Sequence, residues 1–241
     1  MHTPSGSESA VRASADGMEL ETIANGSRGR GAASSGHGAD GEGDDDPTDI
    51  TDGRTLRRRR NRDSVITALI DLINEGDLDP TIDKVADRAE VSARSVFRYF
   101  TDLNDLARTA IETEIRNTLP LAVIPNVGEG PFEDRVDGMV ASRMRVIMRT
   151  WRLGRVAKVR AADIPEIDRG LAVVAEMVRD QFRRHFSAEF SQLDESVAEG
   201  LATSLSSAMD HDNYDTLRRL LNRSDDEIAA GWRELLLRSL G

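Results

Sequence analysis

The 241-residue chain has no cysteine, which excludes disulfides, thiolate metal sites and cysteine nucleophiles and fits a reducing cytoplasm. Lysine is nearly missing: Lys84 and Lys158 stand against 30 arginines, so arginine supplies almost all the positive charge. Aromatics are scarce, at six Phe, two Tyr and two Trp. No apolar run approaches the roughly 18 to 20 residues that span a bilayer. The N-terminus also lacks the basic-then-apolar pattern of a secretory signal. A cytoplasmic protein with no membrane partner is expected. The four histidines, His2, His37, His185 and His211, are dispersed. In "HDNYD" at 211–215, His211 and Asp215 make a weak metal signal and fit a polar kink in a helix better. After residue 54 no β-branched alternating run or hairpin turn occurs, so no strand is there to carry a Gly-rich phosphate loop. No catalytic residue, metal or cofactor is expected.

Charge is unevenly spread. The formal net charge is −11, and residues 1–53 hold eleven acids against three arginines. That stretch is rich in Gly, Ser, Ala and Asp and keeps no helical or strand period. It cannot bury enough apolar surface to offset its ordering entropy, so a disordered acidic tail is expected over 1–53. An acidic tail of this kind would compete with DNA phosphates for neighbouring arginines. The acidic total does not exclude a nucleic-acid partner, because binding responds to the local field.

From Thr55 onward the apolar residues recur with the helical period. Val65, Ile66, Leu69, Ile70, Leu72 and Ile73 predict a helix of about 18 residues ending near Gly76. Thr81 stands where an N-cap belongs, and Ile82, Val85, Ala86 and Ala89 follow at i, i+3, i+4 and i+7. "AEVS" is a tight connection, with Ser92 the next N-cap and "ARSVFRYF" a short third helix. A fourth helix runs through Leu103, Leu106, Ala110, Ile111 and Ile115 to Pro120. Beyond the loop "PNVGEGP" the periodicity predicts helices near 132–153, 155–162, 166–187, 194–221 and 225–240, the last opened by Ser224 and three acids. The fold class is all-α, with about nine helices.

Two short helices joined by a tight turn, preceded by a longer one, have helix-turn-helix spacing. In such units the second short helix enters the major groove of DNA. On that helix Val91, Val96 and Phe100 are placed to pack inward. Ala93, Arg94, Ser95, Arg98 and Tyr99 face outward or lie at the boundary. An arginine near the start can give two parallel hydrogen bonds to guanine O6 and N7. Hydroxyls such as those of Thr81, Ser92, Ser95 and Tyr99 suit phosphate oxygens. Just upstream, Arg54, Arg57, Arg58, Arg59, Arg60 and Arg62 crowd nine positions without one acid. Arginine arms of this kind track phosphates or enter a narrow minor groove.

"TIDKVADRAEVSARSVFRYFTDLNDL" resembles the DNA-binding signature of the TetR family of bacterial transcriptional regulators. The signature's positions fall on Thr81, Ile82, Val85, Ala86, Ala89, Val91, Ser92, Ser95, Val96, Phe97, Tyr99, Phe100 and Leu106, and the match covers about 50 residues. Three positions depart from it: Glu90 replaces the common turn glycine, Phe97 a tyrosine often set on a phosphate, and Leu103 a lysine. The resemblance implies a helix-turn-helix DNA-binding domain at 54–101 and a helical effector-binding and dimerisation domain at 102–241. It also implies a homodimer on double-stranded palindromic operator DNA, released by a small-molecule effector.

In the C-terminal half, Met144, Ile147, Met148 and Trp151 line one face of helix 132–153 and are the candidate effector pocket. Arg145, Arg149 and Arg152, with Arg155, Lys158 and Arg160 close behind, suggest an anionic effector with an apolar body. Leu201 and Leu205, with Ile228, Trp232, Leu235 and Leu236, form apolar stripes that are candidates for a four-helix dimer interface. A helical small-molecule carrier or enzyme that retains a three-helix head is the alternative reading, and a dimeric adaptor recruiting partners through its acidic tail is a third.

Overall fold

The computed structural model of the protein describes residues 47–241, and the expectation of a disordered tail falls largely on residues outside that range. Residues 47–53 of that stretch fall in the first helix. The first helix, α1, spans Pro47–Glu75, several residues earlier than the apolar period indicated. Pro47 opens it with a φ preset for a first helical turn. Gly53 inside it costs only about 1 kcal/mol relative to alanine, too little to stop a helix.

Residues 55–241 form one compact unit, and it is all-α, with no strand among the described residues. Among those residues no helix is long and apolar enough to cross a membrane. The head consists of α1, α2 (Ile82–Arg88), α3 (Ala93–Tyr99) and the start of α4 (Leu103–Thr118). At Thr81 and Ser92 its caps are the ones the sequence predicts. The Thr81 hydroxyl accepts from Lys84 N–H, Ser92 Oγ from Ser95 N–H at 3.2 Å, and Asp102 from Asp105 N–H at 2.8 Å. Each satisfies one of the orphan donors at a helix start.

Both turns of the head close with the same hydrogen-bond pair. After α1, Gly76 N–H donates to Ile73 O and Asp77 N–H to Leu72 O, with Gly76 at φ +111°. After α2, Glu90 N–H donates to Asp87 O and Val91 N–H to Ala86 O, with Glu90 at φ +55°. This is the Schellman arrangement, which places one residue in the left-handed region. Glu90 therefore adopts the backbone that a glycine would take without strain, so the turn is kept despite the substitution. Arg88 binds Glu75 with two bonds of 2.7 and 2.8 Å, and Lys84 reaches Asp77 at 2.7 Å, fastening α2 to the end of α1.

The body contains a 3₁₀ turn (Leu119–Ala122), α5 (Phe132–Ala161), α6 (Pro165–His185), α7 (Ser187–Phe190), α8 (Glu195–Ala208), α9 (His211–Asp215), a π turn (Thr216–Leu220) and α10 (Asp225–Leu240). Two differences from the sequence expectation have physical causes. The helix at 132–153 does not stop at Gly154; α5 continues to Ala161, with Leu153, Val156 and Ala157 packed into a core on either side of the point where the His211 ring approaches Gly154. The helix expected over 194–221 is broken at 209–210, where Asp210 caps α9 by accepting from Asn213 N–H. Arg143, buried in α5, donates Nε and Nη2 to the carbonyl of Met209 at 3.2 and 2.9 Å. A guanidinium at this point satisfies a carbonyl that the ended helix α8 leaves unpaired. α10 starts on a full capping box between Ser224 and Glu227.

Two apolar cores result, and α5 contributes to both. Val136, Met139, Val140, Met144 and Ile147 pack with α6, α8 and α10. Leu153, Val156 and Ala157 pack into the head beside Val65, Leu69, Val85, Val96, Phe100 and Leu106. The core of the head thus extends past residue 101 and draws on α4, α5 and α6. Arg160 adds a polar clasp at the same end, reaching Asp79 in the α1–α2 turn and Asn104 on α4, both at 2.7 Å.

Candidate nucleic-acid interface

α3 is held against the head by Val96 and Phe100, both buried, with Val91, Ala93 and Tyr99 packed partly against the same core. This leaves Arg94, Phe97 and Arg98 exposed and Ser95 half-buried. Arg94 and Phe97 lie three residues apart and so share a face of the helix. The Arg94 guanidinium makes no ion pair or hydrogen bond described in the structure, so its paired donors remain available.

Arg98 and Tyr99 are tied to each other. Arg98 Nη2 donates to Tyr99 Oη at 2.7 Å, and the guanidinium stacks 5.0 Å from the ring centroid. Nε and Nη1 of Arg98 and the phenolic proton stay free for an outside acceptor, from a pre-set geometry. Thr81 and Ser92 are exposed at the starts of α2 and α3, but their oxygens serve first as N-caps. Ser92 Oγ also lies 3.0 Å from Ser95 Oγ, which joins the two hydroxyls at the start of α3.

The arginine run is helical rather than an extended arm. Arg57, Arg58, Arg59 and Arg60 lie on α1 with every side chain exposed. Arg62 separates from them, half-buried with its guanidinium 5.1 Å from the Phe100 ring centroid, and belongs to the packing of the head. A helix cannot thread a narrow groove as a loose arm does, so these side chains are suited to phosphates along a backbone.

The C-terminal sites read from the sequence fare differently. Met144 and Ile147 are filled into the body core, and Trp151 is half-buried, its ring 6.1 Å from that of Tyr214. Only Met148 is open to solvent. The cations expected to attract an anionic effector are engaged by the protein itself. Arg149 Nε donates to the buried carboxylate of Glu114 at 2.7 Å, Arg145 to the carbonyls of Leu121 and Val123, and Arg160 to Asp79. Arg155 faces Asp215 at 3.6 Å, Lys158 pairs with Asp212, and Arg152 stacks on Trp151. Four of these six charges thus face carboxylates of the protein, which weakens their pull on a ligand, whereas Arg145 meets only carbonyls and Arg152 only a ring.

The apolar stripes divide as well. Leu205, Ile228, Trp232 and Leu236 are buried inside the subunit, so none of them is available to a second copy. Leu201 is half-buried, Leu235 is 37% exposed and Val197 is 51% exposed. Helical geometry explains the split along α8: a step of four residues overshoots a full turn by about 40°. A stripe at i+4 spacing therefore rotates from solvent at Val197 to the core at Leu205.

Sequence reasoning missed the polar layer between α5 and α9. Thr150 Oγ lies 2.7 Å from His211 Nε2, and burial together with the Arg143 charge holds that imidazole down at about 4. Burial likewise pulls Arg143 down to about 10. No sequence signal marks this layer, because Arg143 and His211 stand 68 positions apart.

No model of a known protein family matches the chain, and no curated protein matches it. Among solved structures it is similar to a transcriptional regulator from Rhodococcus sp. Rha1, at 19% identity and a TM-score of 0.60, over 74% of this chain and 95% of that one. It is also similar to the fatty acid degradation regulator FadR from Bacillus halodurans, at 14% identity and a TM-score of 0.53, over 73% and 94% of the two chains. At these identities the likeness is one of fold.

Proposed function

We propose that the protein is a DNA-binding transcriptional regulator of the TetR type, acting as a ligand-released repressor that binds a palindromic operator as a dimer. The observation that carries this reading is the exposed face of α3. A seven-residue helix is anchored by Val96 and Phe100 while Arg94 and Arg98 stay uncommitted to any carboxylate. Two known structures of the same fold are described as regulators, which supports it further.

In this reading residues 54–101 bind DNA, with α3 in the major groove and Arg94 paired with a guanine. Arg57, Arg58, Arg59 and Arg60, with Arg98, Tyr99, Ser92, Ser95, Ala93 and Thr81, lie along the phosphates. Residues 102–241 take the effector and the second subunit, whose interface is formed around Val197, Leu201 and Leu235. α5 carries the message between them, since one end packs in the body core and the other in the head. An effector that shifts α5 relative to α6 changes the separation of the two reading heads. A coupling of about 1 to 3 kcal/mol is enough for useful release.

The test is a selection of bound genomic fragments with the full chain, followed by gel shifts on the recovered sequence. Recovery of an inverted repeat, and loss of base preference in Arg94→Ala at one position per half-site, is the expected result. Failure to enrich any sequence over random DNA overturns the reading.

A further inference from the structure

Phe97 is the large apolar side chain of α3 that the core leaves exposed. Its ring is 56% exposed, while its neighbours Val96 and Phe100 are buried. A phenylalanine in water forgoes the transfer of a large apolar surface, so a partner that covers it gains that surface. The ring carries no hydroxyl and has nothing to donate to a phosphate. Arg94 stands one turn before it and Arg98 next to it, both exposed. Two cations beside an apolar ring disfavour an apolar protein face and favour a polyanion that presents an apolar group. In the floor of the major groove that group is the C5-methyl of thymine.

We propose that Phe97 reads a thymine through its C5-methyl group, within about two base pairs of the base contacted by Arg94. The spacing follows from the helix: side chains three residues apart have Cβ atoms roughly 5 to 6 Å apart, against about 3.4 Å per base pair along the duplex. The inference rests on the reading of α3 as a recognition helix.

Uracil in place of thymine removes only this methyl and leaves pairing and phosphates intact. Operator duplexes recovered with the full chain are made with uracil at one thymine pair at a time, related by the two-fold axis. Each is titrated with the wild-type protein and with Phe97→Ala. Because the side chain is exposed, the variant is expected to keep the wild-type melting temperature. The wild type is expected to bind about three- to tenfold more weakly when one thymine pair is changed. Phe97→Ala is expected to bind the thymine and uracil duplexes alike. Equal wild-type affinity for every uracil duplex overturns the proposal and leaves DNA binding standing. Equal methyl sensitivity in both proteins also overturns it, since another residue then reads the methyl. A change in the oligomeric state of Phe97→Ala, with methyl sensitivity kept, assigns the ring to a protein contact and overturns it too. Absence of sequence-specific binding by the wild type removes the underlying reading itself.

Discussion

A β-carbon added to Gly154 would stand 2.8 Å from Cδ2 and 3.0 Å from Cγ of His211. Gly154 is therefore a contact point between α5 and α9, in the middle of a helix that its lack of a side chain would otherwise weaken. The ring it admits is also held by the Thr150 hydroxyl, one turn earlier on the same helix. In water-exposed helices alanine exceeds glycine by about 1 kcal/mol. Here the overlap with a packed ring outweighs that gain, because inserting a methyl into a filled site costs about 1 to 3 kcal/mol. Gly154→Ala is expected to lower the melting temperature. In a His211→Ala background the same change is expected to raise it, and a double-mutant cycle of urea midpoints reads the reversal of sign.

The His211 imidazole, depressed from 6.5 to about 4 by burial, makes stability depend on pH. Above about pH 6.5 both folded and unfolded chains hold this ring neutral, and its contribution is fully present. Between 6.5 and 4 the unfolded chain takes up a proton that the folded one refuses, so stability falls as pH falls. The loss is at most about 3 kcal/mol for this group. Carboxylates titrate in the lower part of the same window, so the readout is a difference. Unfolding free energies of wild type and His211→Asn, measured from pH 7 to 4.5, are expected to converge as the pH drops.

Glu90 carries a left-handed backbone at φ +55°. A side chain in that region costs roughly 1 kcal/mol or somewhat more, and glycine avoids it. Glu90→Gly is expected to raise the unfolding free energy by about 0.5 to 1 kcal/mol with the fold unchanged. Urea unfolding followed by circular dichroism checks this; a loss of stability would show that the Glu90 side chain supports the turn.

The exposed cations Arg57, Arg58, Arg59 and Arg60 act, in the proposed function, through phosphates. Replacing all four by glutamine keeps helix propensity close to that of arginine. Affinity for specific and random duplexes is then expected to drop together. The slope of log K against log salt is expected to flatten by up to about 0.9 for each phosphate that is no longer neutralised. An unchanged slope shows that these side chains do not meet DNA.

For the proposed dimer the informative positions are those with a free face. Val197→Glu combined with Leu235→Glu is expected to shift the protein toward monomer in analytical ultracentrifugation while its helical signal persists. Leu205→Glu is a contrasting case: the side chain is buried, and a carboxylate there is expected to unfold the body rather than dissociate a dimer.

The features that could be read directly from the sequence are local ones. Thr81, Ser92 and Ser224 were legible as N-caps because a cap is made with a backbone N–H two or three residues ahead. The division of "VSARSVFRYF" into a packed and a presented side followed from helical periodicity alone. Tertiary structure decided the rest, since those outcomes depend on groups distant along the chain. Gly154 resembled a helix end until His211 arrived beside it, and Arg149 resembled a free cation until Glu114, 35 positions away, was placed against it. Leu205 and Leu201 carry the same side chain at the same spacing, yet one is sealed in the core and the other borders solvent. Periodicity supplies the angle of a residue around its own helix, whereas the packing of α5, α6, α8 and α10 determines what that angle faces.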